Sequence, residues 1–163
     1  MKLKYFSWLP AIGIMGAIFW FSSKTAVLSQ EGSLSISIVI YNLYDKLESV
    51  SLQGPEKLDL LAVIDHFVRK SAHFTEYAFL SLAIAFHFTV WKKSISYRTW
   101  LPVLIAGLYA ATDEFHQTFV AGRSGQVSDV LLDTAGAAAG VLVYSILHLL
   151  ISRHRKKRAK ITE

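Results

Sequence analysis

The sequence contains no cysteine, and this absence excludes several kinds of site. No disulfide can form, no thiolate can act as a nucleophile, and no metal can be held by cysteine ligands. An HExxH pattern and the nucleophile-elbow pattern of serine hydrolases are also missing. The sequence therefore predicts no cofactor. A divalent metal held by histidines and acids is a less favoured alternative.

Charged residues are few beside the apolar ones. Of 163 residues, 53% are hydrophobic and 18% are charged, and the mean hydropathy is +0.38. Soluble domains are usually less apolar. Several runs approach the roughly 20 residues needed to cross a bilayer, where only helices and closed barrels satisfy their backbone groups. The sequence predicts an all-α integral membrane protein with one domain, residues 1–163.

Four apolar segments are predicted to cross the membrane as a four-helix bundle. A signal peptide is the alternative for the first, although no clean small-residue cleavage site follows it. Pro102 suits the first turn of the third. A basic tail, residues 152–163, follows the fourth. The predicted spans are about 5–22, 71–91, 102–120 and 130–151.

A long polar connection, residues 24–69, separates the first two spans. Its middle, residues 34–47, places Leu34, Ile38 and Tyr41 on one helical face. This segment is either an interfacial helix or lid, or a helix packed on the spans. Gly54-Pro55 ends it, and a new helix is predicted from near Glu56 into the second span. Asp65 and His66 are predicted to be solvated there.

Lys and Arg residues are distributed unequally between the two predicted sides of the membrane. Eleven of the 17 lie in the N-terminus, the 92–98 loop and the tail, and only one acid accompanies them. The positive-inside rule then places both termini in the cytoplasm, in a multi-pass protein of the cell membrane. The tail is predicted to bind acidic lipid headgroups in preference to nucleic acid.

The costly polar residues converge on the extracytoplasmic ends of the spans. By the rise of an α-helix, Asp113 lies roughly 10 Å and Asp133 roughly 5 Å below the outer surface. Asp133, Gly136 and Gly140 form one helical stripe with Asp129, and the glycines permit close helix contact. Glu114 is expected to point away from Asp113. The predicted polar site contains Lys70, His73, Glu76, Tyr77, Asp113, Glu114, His116, Gln117, Arg123, Ser124, Asp129 and Asp133.

Four segments together resemble the VanZ-like family. They are Arg69-Lys70-Ser71-Ala72-His73-Phe74-Thr75-Glu76-Tyr77, Asp113-Glu114-Phe115-His116-Gln117, Gly122-Arg123-Ser124-Gly125 and the run from Asp129 to Gly140. They cover about the C-terminal two thirds of the chain, and the first 55 residues add little to the resemblance. It implies a bacterial membrane protein similar to one linked to low-level teicoplanin resistance.

Individual side chains have competing interpretations. Lys70 and Arg123 suit binding of a lipid phosphate or a peptide carboxylate, whereas Arg123 could instead brace the bundle by pairing with Asp129 or Asp133. His73 could act as a general base oriented by Asp113, or it could be a polar core histidine. His87 and His148 are expected at the inner membrane interface.

Two classes of function follow from these residues. The first is a membrane protein that binds an envelope ligand, such as a lipid-linked precursor or a glycopeptide, among membrane lipids. The second is a membrane-embedded enzyme in which His73 and Asp113 are the catalytic acid and base. An ion-coupled transporter is disfavoured because the inner halves of the spans lack polar groups.

Overall fold

A computed structural model describes residues 2–48 and 52–159, and all regular secondary structure in this part of the chain is helical. A short 3-10 helix, Lys2–Phe6, precedes five α-helices. These are α1 (Leu9–Ser22), α2 (Ala26–Glu48), α3 (Pro55–Val90), α4 (Ile95–Gln117) and α5 (Val127–Ala159). The prediction of an all-α fold is confirmed. Residues 160–163 of the predicted basic tail lie outside the described residues.

The core lies where α3, α4 and α5 pack against one another, with α1 against α3 and α4. Small residues on α4 and α5, including Ala106, Ala110 and Ala137, face Tyr77, Leu80 and other large residues of α3. Gly136 and Gly140 bring α5 very close to α3. A Cβ added at Gly136 would lie 2.2 Å from the Phe74 carbonyl oxygen. The predicted close-contact stripe is confirmed.

Helix α3 begins at Pro55 and continues without a break into the second predicted span, as the sequence indicated. Its 36 residues extend about 54 Å, more than the thickness of a bilayer core. The prediction for Pro102 was wrong. Helix α4 starts at Ile95, so Pro102 lies inside the helix, where it is buried, and α4 ends at Gln117 before the predicted limit of residue 120.

The segment between the first two spans forms α2, which packs along α3. Of the predicted face, Tyr41 is buried but Ile38 is exposed, and Ser33 and Ser37 are buried beside Tyr41. The Ser37 hydroxyl donates a hydrogen bond to Asp65 at 3.3 Å. Asp65 is only 2% exposed and also pairs with Arg69, so the prediction of a solvated Asp65 was wrong. His66 is exposed, as predicted.

The residues just before α1 contact the last turn of α3 through stacked aromatic rings. The Ser7 hydroxyl lies 2.8 Å from Nδ1 of His87, and the Trp8 ring stacks on the imidazole. His87 is therefore buried between these helices in the last turn of α3, and its position at the inner membrane interface stays a prediction. His148 is exposed, with its Nε2 3.4 Å from Arg98.

Within the described residues, two stretches are long and apolar enough to cross a membrane, Lys4–Ser22 and Val127–His154. The second and third predicted spans carry most of the polar site and do not reach that level of hydropathy. Several large apolar side chains of α4 and α5, such as Trp100, Leu108 and Leu142, are nevertheless exposed. Outward-facing apolar side chains of this kind are suited to contact with lipid.

Candidate ligand-binding site

Three buried side chains join the end of α4 to its neighbours. Oδ2 of Asp113 accepts hydrogen bonds from the Ser22 hydroxyl at 2.7 Å and from Nε2 of Gln117 at 3.1 Å. Glu114 accepts from the same amide at 3.3 Å and from the backbone N–H of Gln126 at 2.8 Å. The expectation that Glu114 points elsewhere was wrong, because the 118–126 loop folds back over the helix end and binds its carboxylate.

Arg123 is positioned by the same network. Its Nη1 donates to Oε1 of Gln117 at 3.1 Å, while Nε2 of the same amide donates to Asp113 and Glu114. Burial lowers the pKa of the Arg123 guanidinium from its ordinary value, and the nearby carboxyl of Asp113 opposes that change. A guanidinium remains charged in proteins, so Arg123 presents a partly desolvated positive charge.

The alternative in which Arg123 forms an ion pair with Asp129 or Asp133 was wrong. Lys70, on α3, forms the ion pair with Asp129, on α5. Asp133 is fully buried, and neither of its carboxyl oxygens has a hydrogen-bond partner within the described residues. Among those residues no carboxylate oxygen lies within 4.0 Å of the Arg123 guanidinium. Lys70 reaches Asp129 because the start of α5 lies against α3, whereas Arg123 turns toward α4.

Two adjoining cavities lie between α2, α3 and the 118–126 loop. The smaller, of about 190 Å³, is mostly polar and contains Lys70, Gln117, Ser124, Gln126 and Asp129 in its wall. The larger, of about 320 Å³, runs between α2 and α3. Ser29, Arg69, His73 and Arg123 line both, so the two cavities share a wall of basic residues.

The remaining predicted site residues occupy different positions around these cavities. Glu76 lines the larger cavity. Tyr77 is fully buried and lines neither cavity, and its hydroxyl has no hydrogen-bond partner in the described chain. His116 faces α1, where its ring packs on Phe19 with centroids 4.8 Å apart, so it lies outside the cavity walls.

Sequence reasoning missed the contribution of the first 30 residues. Ser22 binds Asp113, while Lys24 and Ser29 line the larger cavity. The available signal was the small-residue stripe Ser29, Ser33 and Ser37, spaced for close helix contact. No three His, Asp or Glu side chains among the described residues are grouped as metal ligands.

Outward-facing apolar helices around a buried polar cluster define an α-helical protein of the membrane-associated class. The chain belongs to the VanZ/LLP1 family, whose family model matches residues 7–148. This match includes α1 and α2, so the likeness extends beyond the C-terminal two thirds that carry the sequence motifs. The family and the two apolar stretches together support a membrane protein. No curated protein and no solved structure matches the chain significantly.

Proposed function

We propose that this protein binds an anionic group of a cell-envelope ligand in the cavities beside Arg123. The observation that carries the proposal is that basic side chains outnumber acidic ones in the walls of the two cavities. Lys70 and Arg69 are paired with Asp129 and Asp65, but no carboxylate of the described residues lies within 4.0 Å of Lys24 or Arg123. Glu76 is the one acid among the residues lining the larger cavity. A partly buried Arg suits bidentate binding of phosphate or carboxylate.

In this proposal the cavities open on the extracytoplasmic side of a four-span protein with both termini in the cytoplasm. Two contacts support a retained first span in which α1 is antiparallel to α3 and parallel to α4. Ser7 meets His87 near the predicted inner ends, whereas Ser22 meets Asp113 near the predicted outer ends. The basic 92–98 loop joins α3 to α4 at the inner side. Arg123 then lies outside.

The geometry supports binding more directly than acid–base catalysis. No hydrogen bond joins His73 to Asp113 among the described residues. Oδ2 of Asp113 is occupied by Ser22 and Gln117, while its buried Oδ1 has no partner in that part of the chain. His73 lines both cavities, with Nδ1 buried and unpartnered. That unpartnered nitrogen is the observation that keeps the enzyme as the second candidate, with His73 as the base.

Replacing Arg123 with glutamine should abolish the function while leaving the fold intact. The family resemblance implies lower glycopeptide susceptibility, so a bacterial host producing Arg123→Gln should be as sensitive to teicoplanin as a host without the protein. The change removes the charge and keeps an amide near Gln117. Loss of one charge-assisted contact weakens binding by about 1.5–3 kcal/mol.

Arg98→Gln is the matched control, because Arg98 lies at the opposite end of the bundle and binds the Lys93 carbonyl. The control should retain the wild-type minimal inhibitory concentration. If Arg123→Gln accumulates normally in the membrane and still protects the host fully, the assignment of Arg123 to the ligand is wrong.

A further inference from the structure

The cleft between α2 and α3 is open at its centre because both helices have small residues there. Gly32 of α2 and Ala72 of α3 line the larger cavity. A Cβ placed at Gly32 would meet nothing within 4 Å. Helix pairs normally fill such a position with interdigitated side chains. The space between these helices is therefore available to a ligand.

The lining of this cleft is apolar in one part and basic in another. Leu28 and Ile36 of α2 and Val68 of α3 form its apolar wall. Arg69, His73 and Arg123 belong to both the cleft and the smaller polar cavity. The apolar groove thus adjoins the polar cavity at a shared basic wall. The larger cavity alone, of about 320 Å³, lies in the range of roughly 300–1,000 Å³ that is usual for small-molecule sites.

The outer surface of α2 indicates what surrounds this groove. Its small polar residues Ser33 and Ser37 face inward, whereas large apolar side chains face outward. The exposed ones include Val27, Val39, Ile40, Leu43 and Leu47. A helix with this reversed distribution is stabilised by contact with a membrane and not by contact with water. A hydrocarbon chain could therefore enter the groove from the membrane without crossing water.

We infer that the ligand is an amphiphile with an anionic, phosphate-type headgroup and a hydrocarbon chain. The headgroup binds at Arg123 and the polar cavity, and the chain lies between α2 and α3 beside Gly32. This inference rests on the proposed anion-binding function and extends it from the headgroup to the chain. Free phosphate shares the headgroup chemistry, so a test must separate the two sources.

Methyl phosphate and dodecyl phosphate provide this separation, because they share a headgroup and differ in their chain. Binding of each to the full chain, in nanodiscs of zwitterionic phosphatidylcholine, can be measured by calorimetry against empty nanodiscs. We expect Gly32→Leu to weaken dodecyl phosphate binding by about tenfold, the equivalent of about two methylene groups leaving the groove. Its affinity for methyl phosphate should not change. Arg123→Gln should weaken binding of both compounds.

Gly16→Leu is the matched control, since a Cβ at Gly16 on α1 also meets nothing within 4 Å and lies away from the cleft. It should bind both compounds as the wild type does. Ala72→Leu fills the groove from α3 and replaces Gly32→Leu if that variant does not fold. Equal affinity of wild type and groove-filled variants for dodecyl phosphate would overturn the inference while leaving anion binding intact. Insensitivity of both compounds to Arg123→Gln would overturn the proposed function itself.

Discussion

Gly136→Leu should greatly lower the stability of the folded protein. A Cβ at this position would lie 2.2 Å from the Phe74 carbonyl oxygen and 2.9 Å from its carbonyl carbon. Because these are backbone atoms of α3, no rotation of a side chain can relieve the overlap. Overpacking typically costs about 1–3 kcal/mol, and the full leucine side chain places this variant at the upper end. The measurement is the thermal unfolding midpoint in detergent.

Ala138→Leu serves as the control, because Ala138 lies on the same helix but is exposed. It adds a comparable side chain where α5 faces outward, so it should unfold close to the wild-type temperature. Equal midpoints for Gly136→Leu and Ala138→Leu would show that α5 does not pack on α3 through its glycine stripe. The buried position of Asp133 would then be in doubt as well.

Asp113→Ala should also be strongly destabilising, for a different reason. The carboxylate accepts from Ser22 of α1 and Gln117 of α4, and all three side chains are buried. Removing it leaves the buried Ser22 hydroxyl without a partner, at about 1–3 kcal/mol. It also takes from the Gln117 amide one of two acceptors, the other being Glu114. Asp113→Asn should lose less, because its amide oxygen can still accept the Ser22 hydroxyl. Chemical or thermal unfolding of the purified variants measures the difference.

Asp129→Ala gives the comparison for Asp113→Ala. Asp129 pairs with Lys70, and both side chains are partly exposed. Such a pair contributes only about 0.2–1 kcal/mol. If Asp113→Ala were no less stable than Asp129→Ala, Asp113 would not join α1 to α4. Its carboxylate would then be free for the acid–base role of the enzyme alternative.

The sequence predicted the features that depend on regular spacing along a helix. Gly136 and Gly140 are four residues apart and both meet α3, as that spacing indicated. The uninterrupted helix beyond Gly54-Pro55 was also predictable, since its breaker and apolar pattern are local. The same spacing placed Asp113 and Gln117 together, one turn apart on α4, and they are hydrogen-bonded.

Features that depend on the path of a loop or the docking of α2 were not predictable. Arg123 was the candidate partner for Asp129, but Lys70 forms that pair, and the course of the 118–126 loop directs Arg123 to Gln117. The sequence around Asp65 predicts a solvated side chain. It does not reveal that Ser37 of α2 donates a hydrogen bond to this carboxylate. Among the described side chains of α2, the buried ones are two serines, Ser33 and Ser37, and Tyr41, so the packed face shows little hydrophobic periodicity.

The central claim is that the cavities bind anions and open on the outer side of the membrane. The most direct test compares how fast an anionic and a cationic reagent, added outside the cell, react within the cavity. Ser29 lines both cavities, and the absence of native cysteine makes Ser29→Cys the single labelling site. Impermeant thiosulfonates bearing a sulfonate or a quaternary ammonium can be added to intact cells. We predict that the anionic reagent reacts about tenfold faster, because a cleft lined by positive charge concentrates anions. Arg123→Gln should reduce this preference. Equal rates for the two reagents, faster reaction of the cationic one, or reaction only after the cells are opened would contradict the account.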